Sequence, residues 1–247
     1  VRGDDLLRAL LQGLQQLLLG VVIARQSEQA AGQSHQRLGR LGGLLQRRLQ
    51  GLDARLHRAA ALLYEPAQIM PEGVLWAVDE RADIVSMSLG AEAGSPELFE
   101  AVHLALARGA IVICAAGNSG ALFTNGIGYP GRYGSVITVA AHDQHGQPSG
   151  FSSRGAEIDF MAPGHEIWST FRQGGYAKLS GTSMATPFVA GLAALILAKH
   201  RRPGHHTSPI RNCEDMRQHL LRMAAHPGHH DSARGHGPLL PFAYFAR

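Results

Sequence analysis

Residues 1–63 of this 247-residue chain contain no aromatic residue and no Pro, Lys, Thr or Asn. Leu, Gln, Gly, Arg and Ala dominate instead. The segment is therefore short of the side chains from which sheets and mixed cores are built. The whole chain holds only two cysteines, Cys114 and Cys213, which excludes a disulfide scaffold. Cys114 sits in an apolar run and is expected to be a buried free thiol. By inspection no apolar run reaches membrane-spanning length. The first residue is not Met, so a fragment or a processed form is expected. "LQQLLLGVVIA" at 14–24 has the apolar middle of a signal peptide, but its glutamines and the lack of a cleavage site argue against that reading.

Charge is unevenly placed. Residues 1–63 carry nine Arg against four acidic residues, while the remainder is close to neutral. A basic arm of this kind suits a nucleic acid or an acidic partner, or is simply a solvated face. The solvated face is the preferred reading. Leu6, Leu10, Leu14, Leu17 and Leu18 fall on one helical face, and "LGRLGGLLQRRLQGLDARLHRAAALL" offers a second amphipathic stretch. A GC-rich coding region translated in the wrong frame would also produce this vocabulary, which the nucleotide sequence would test. The chain divides into an atypical basic segment, 1–63, and an enzyme-like domain, 64–247.

From Tyr64 onward the pattern alternates helix and strand. "PEGVLWAVDERA" predicts a helix with Val74, Leu75 and Val78 facing inward. "DIVSMSLG", "AIVICAAG" and "SVITVAA" predict buried strands. "SPELFEAVHLALARG" predicts a helix capped by Ser95, with Pro96 in its first turn and Gly109 at its end. Apolar strands joined by helices imply a mainly parallel sheet covered on both faces. Ligands of such sheets lie beyond the carboxyl ends of the strands, where "SLG" and "AAGN" fall. Short strands and turns are expected around "FSSRGAEIDFMAPG", "EIWSTF" and "YAKLSG". The stretch from Ser183 to Lys199 is apolar almost all round, which predicts a core helix with Pro187 in its first turn. "NCEDMRQHLLRMA" predicts a last helix capped by Asn212.

"SGTSMATPFVAG" at 180–191 presents Ser183 among small residues at the start of that core helix. It resembles the nucleophile motif of the subtilisin-like serine proteases, the subtilases. "ADIVSMSLG" resembles that family's substrate strand and "AAGNSG" its oxyanion segment, in the family's order. "YPGRYGSVITVAA", "FSSRG" and "DFMAPG" extend the likeness, which covers about Leu75 to Lys199. "GHGPLLPFAYF" matches the closing segment. Phe188 stands where the family usually has His.

The resemblance implies a three-layer α/β subtilisin-like fold with a mainly parallel sheet and a buried central helix, its N-terminal part incomplete or replaced. It implies a serine endopeptidase with Ser183 as nucleophile and Asn118 as oxyanion donor. Ser88, Leu89 and Gly90 would pair with an extended polypeptide substrate, and Ala115, Ala116 and Gly117 would wall the pocket before the scissile bond. A cis bond at Tyr129–Pro130 is implied too. No cofactor is expected; calcium is common in the family as a stabiliser, yet no Asp-rich loop marks a site. No nucleic-acid or membrane partner is expected of the domain, and family habit favours secretion.

Plainer readings stand beside these. Ser183 alone would make a good helix cap, and Asn118-Ser119-Gly120 a good turn. Asp79, Asp83, Asp143 and Asp159 read as turn, cap or salt-bridge residues. Eight histidines fall between His200 and His236. An exposed His-rich surface is the preferred reading there over a metal site.

The family's general base and its orienting Asp, in Asp-Ser/Thr-Gly and His-Gly-Thr-His motifs, normally precede the substrate strand. Neither motif occurs. His35 has approximate spacing, and His57 has less support. A catalytically dead pseudoprotease that still binds extended peptides is the alternative reading.

Overall fold

A computed structural model of the chain describes residues 21–23, 66–120, 126–201 and 209–241. Most of the 1–63 segment, with His35 and His57, lies outside the described residues. Five strands form one sheet in the order β1-β2-β3-β4-β5: β1 Val21–Ile23, β2 Ile84–Met87, β3 Ile111–Ala115, β4 Ile137–His142 and β5 Phe160–Pro163. β2 to β5 are parallel, and β1 pairs antiparallel along the edge of β2, Val22 opposite Ser86. Every residue of β2 and β3 is buried. A strand covered on both faces needs apolar side chains in succession rather than in alternation, which is how "IVSM" and "IVICA" read.

One face carries α1, Pro66–Asp79, and α2, Pro96–Ala107, which pack on each other. Val74 and Val78 face inward as expected, but Leu75 is 40% exposed. The register explains it: α1 begins five residues before the predicted start, Pro71 lies inside it, and Leu75 falls on its outer side. In α2 the Ser95 hydroxyl accepts from the Leu98 amide with Pro96 in the first turn, and Gly109 follows with φ +85°. That left-handed conformation is natural for glycine.

The other face carries α3, Thr182–His200, which packs across β2, β3, β4 and β5, and α4, Cys213–Leu221, against β3. Asn212 caps α4 by accepting from the Asp215 amide. By length and composition α3 would pass for a membrane-crossing helix, against the reading of the sequence, but half of it is buried in this protein. Ala185, Val189, Ala193 and Ile196 enter the core. Full burial is not observed: Pro187, Phe188, Gly191 and Leu195 face outward. No described element covers that side. A hairpin, β6 Ile167–Thr170 with β7 Tyr176–Leu179, leads directly into α3.

Two arginines tie these layers together. Arg201, at the end of α3, makes a bidentate pair with Asp83 just before β2, at 2.8 and 2.6 Å. Arg217 of α4 bonds Asp159 at 2.9 Å and the carbonyl oxygens of Gly134 and Val136 at 3.0 and 2.6 Å, with Glu214 alongside. Burial holds the Asp159 carboxyl above its ordinary range, while the adjacent guanidinium opposes that shift. Asp143 organises a turn through the amides of His145 and Gln147. Cys114 and Cys213 are buried and free. The Tyr129–Pro130 peptide is cis.

Candidate active site

Parallel strands β2 and β3 end side by side, and the chain leaves each at the same edge of the sheet. After β2 come Ser88, Leu89 and Gly90; after β3 come Ala116, Gly117 and Asn118. Gly117 turns the chain with φ +106°, where a Cβ would lie 3.0 Å from the Ser153 hydroxyl. The start of α3 meets these loops, bringing Ser183 beside residues far from it in sequence.

Ser183 is not a cap. Gly181 holds the cap position and Ser183 is the second helical residue. Its amide is therefore among the first donors of a helix, which have no acceptor within the helix. The local dipole there favours negative charge. The Ser183 hydroxyl donates to the Ser88 carbonyl at 3.2 Å, and the Ser88 hydroxyl donates to the Ser183 carbonyl at 3.0 Å.

Asn118 is exposed, and its Oδ1 accepts from both the amide and the hydroxyl of Thr182, at 3.0 and 3.1 Å, across 64 residues of sequence. A backbone amide can only donate, so the carboxamide oxygen must face it. The Thr182 hydroxyl accepts from the Gly117 amide at 3.1 Å, which leaves its proton for Asn118. Thr182, buried to 1% exposure, thereby fixes the flip of Asn118. The Nδ2 donor then lies on the other side of the carboxamide, where a Cβ built on Gly181 would be 3.4 Å from it. The sequence reading gave Thr182 no role; its position between Gly181 and Ser183 in the motif was the available signal.

Ala115 and Ala116 are buried, and Gly117 is half-buried. Leu89 packs against the cluster that includes Met87 and Leu98. Ala91 and Tyr129 exchange backbone hydrogen bonds at 2.9 and 2.8 Å, holding the loop after Gly90 beside the cis-proline turn. Gly90 is exposed. Ser88, Asn118 and Ser183 are thus brought together through Thr182 and the Ser88–Ser183 pair.

The described histidines before Ser183 are engaged elsewhere. His103 contacts the Phe99 carbonyl, His142 the Asp143 carbonyl and His145 the Gln144 amide, while His165 lies against Phe151. Beyond α4, His230 contacts the Ile158 carbonyl and His236 the His229 carbonyl, so this His-rich stretch is more structured than the sequence suggested. Among the described residues no group of three His, Cys, Asp or Glu side chains converges to hold a metal. The oxygen cluster of Asp159, Glu214, Gly134 and Val136 already holds the Arg217 guanidinium and does not fit an added cation.

The Subtilase family model matches residues 65–237. Subtilisin DY of Bacillus licheniformis is 48% identical over 141 residues, 57% of this chain and 51% of the relative. Subtilisin E of Bacillus subtilis (strain 168) is 48% identical over 129 residues, 52% of this chain and 34% of the relative. The chain thus spans about half or less of the length of these curated relatives. The self-cleaved protease domain of PatA superposes with a TM-score of 0.59 at 31% identity, covering 68% of this chain and 63% of that one. The Prenylagaramide maturation protease PagA gives 0.61 at 29% identity, covering 70% and 64%.

Proposed function

Since the chain belongs to the subtilase family, we propose that it carries the nucleophile and oxyanion half of a serine endopeptidase. The observation that supports this best is the Thr182-fixed carboxamide of Asn118, set one residue from Ser183. In this reading an extended polypeptide adds as a strand along Ser88, Leu89 and Gly90. Ala115, Ala116 and Gly117 leave room for the side chain before the scissile bond.

The Ser183 oxygen attacks the carbonyl carbon while a base takes its proton. The carbonyl π pair moves to oxygen, where Nδ2 of Asn118 and the Ser183 amide stabilise it. Collapse breaks the C–N bond, and the amine leaves with the proton from the base. Water then attacks the ester, gives its proton to the base, and Ser183 recovers a proton as the acid leaves. Each half-reaction needs that base, which in the family is a His oriented by an Asp. The extracellular setting is carried over from family habit.

A second reading has its own observation. The Ser183 hydroxyl donates to a backbone carbonyl, which has too little basicity to accept its proton. That favours a pseudoprotease that binds extended peptides without cleaving them. A fluorophosphonate probe separates the two: Ser183-dependent labelling supports the enzyme, and peptide binding without labelling supports the pseudoprotease.

A further inference from the structure

Asn118 stands on a loop that its own sequence leaves loose. It lies between Gly117 and the pair Ser119-Gly120, and the two glycines have φ +106° and +62°. Glycine gives up more backbone freedom than any other residue when a turn is fixed. Thr182 holds only the end of the Asn118 side chain. A carboxamide aimed at a developing oxyanion also needs a fixed main chain, because a donor works only within about 2.7–3.1 Å of that oxygen.

Ser153 brackets the Asn118 main chain on both sides. Its amide donates to the Gly117 carbonyl at 2.9 Å, and its hydroxyl accepts from the Ser119 amide at 3.1 Å. Ser153 is fully buried, and the Cβ that Gly117 lacks would lie 3.0 Å from the Ser153 Oγ. The missing side chain is what lets the hydroxyl come so close. The Phe151 carbonyl adds a third tie by accepting from the Gly120 amide at 2.8 Å. The serine between them is anchored elsewhere: the Ser152 hydroxyl accepts from the Ala141 amide of β4 at 3.0 Å. Residues 151–153 thus join the sheet to the loop, with one serine on each. We propose that Ser153 is a positioning residue that fixes Asn118 for its oxyanion role and passes the rigidity of β4 to the loop. Being buried, it acts through the two peptides flanking Asn118 and not on the substrate. This inference rests on the reading of Asn118 as an oxyanion donor.

The plainer role for a buried serine is to satisfy one amide, and Ser152 provides the control for it. Ser152 is also buried and also accepts one main-chain amide, yet it does not bond to the Asn118 loop. The test uses the full chain labelled with ¹⁵N, the Asn118 side-chain signals being identified by their loss in Asn118→Ala. Ser152→Ala and Ser153→Ala are both expected to lower the urea midpoint. Only Ser153→Ala is expected to free the carboxamide, its order parameter falling from about 0.85 to below about 0.6. Ser153→Thr keeps the acceptor and is expected to keep the carboxamide rigid. Should Ser153→Ala fail to fold, Ser153→Cys puts a weak acceptor in nearly the same shape and is expected to give an intermediate value. A carboxamide as ordered in Ser153→Ala as in the wild type overturns the proposal, as does an equal loss of order in Ser152→Ala. Fluorophosphonate labelling of Ser183 gives the chemical readout. Ser153→Ala is expected to slow it at least about 10-fold beyond Ser152→Ala, within the roughly 10²- to 10³-fold effect of a whole oxyanion donor. Equal slowing in both variants overturns the proposal. A chain whose Ser183 never labels, while Ser153→Ala still frees the carboxamide, upholds the positioning of Asn118 and refutes the nucleophile reading instead.

Discussion

Ser183 and Ser88 hold each other reciprocally, each hydroxyl donating to the other's carbonyl oxygen. In the proposed reading of Ser183 as a nucleophile, its hydroxyl is held by a carbonyl and not by a base among the described residues. We expect the chain alone to hydrolyse a chromogenic peptide at least about 10³-fold more slowly than an intact relative. Robust turnover that disappears in Ser183→Ala would overturn this expectation.

Thr182→Val keeps the volume and removes the hydroxyl between Gly117 and Asn118. It leaves the Gly117 amide short of its acceptor in a nearly closed environment. A loss of about 1–3 kcal/mol is expected in urea unfolding. An unchanged midpoint would show that water replaces the hydroxyl.

Gly164→Ala is expected to destabilise by about 1–3 kcal/mol through overpacking. Its Cβ would lie 2.6 Å from the Ala141 Cβ and 2.8 Å from the Gly181 carbonyl oxygen. Neither neighbour is a flexible side-chain end, and Gly181 donates its amide to the Gly164 carbonyl. The strain therefore reaches the turn before Ser183. Thermal denaturation with full retention of the wild-type midpoint would refute it.

Arg217→Met should cost about 3–5 kcal/mol, because it strands the Asp159 carboxylate among buried groups. Adding Asp159→Asn should recover part of that loss. A double variant less stable than Arg217→Met alone would contradict the pairing.

Both thiols should resist iodoacetamide in the native protein. Burial pushes Cys213 up to about 11, and Cys114 also rises well above the ordinary thiol range, again through burial. Few thiolates exist at neutral pH, and access is closed. Mass spectrometry should find alkylation only after denaturation; rapid native labelling would refute the burial.

The parallel sheet was legible in the sequence because β2, β3 and β4 are continuous apolar runs, and α2 because Ser95, Pro96 and Gly109 punctuate it. Ser183 and Asn118 stood out as candidates from local motifs, and the structure brings them near each other through Thr182. Thr182 was not legible, because its role depends on Gly117 and Asn118 arriving from another strand. The outward turn of Leu75 and Leu195 was hidden for a related reason. An apolar side chain records a preference for burial, and whether anything covers it is decided by other elements.

α3 is pinned at both ends. Asn118 receives its first residue, and Asp83 grips the Arg201 fork just past its last. Its 19 residues span about 28 Å. A rod restrained at both tips can bow but resists sliding along its own axis. Thermal motion at Ser183 should then be lateral, with its height above the Asn118 amide held constant. The helix acts as a gauge that sets one coordinate of the site independently of whatever lies along its open side.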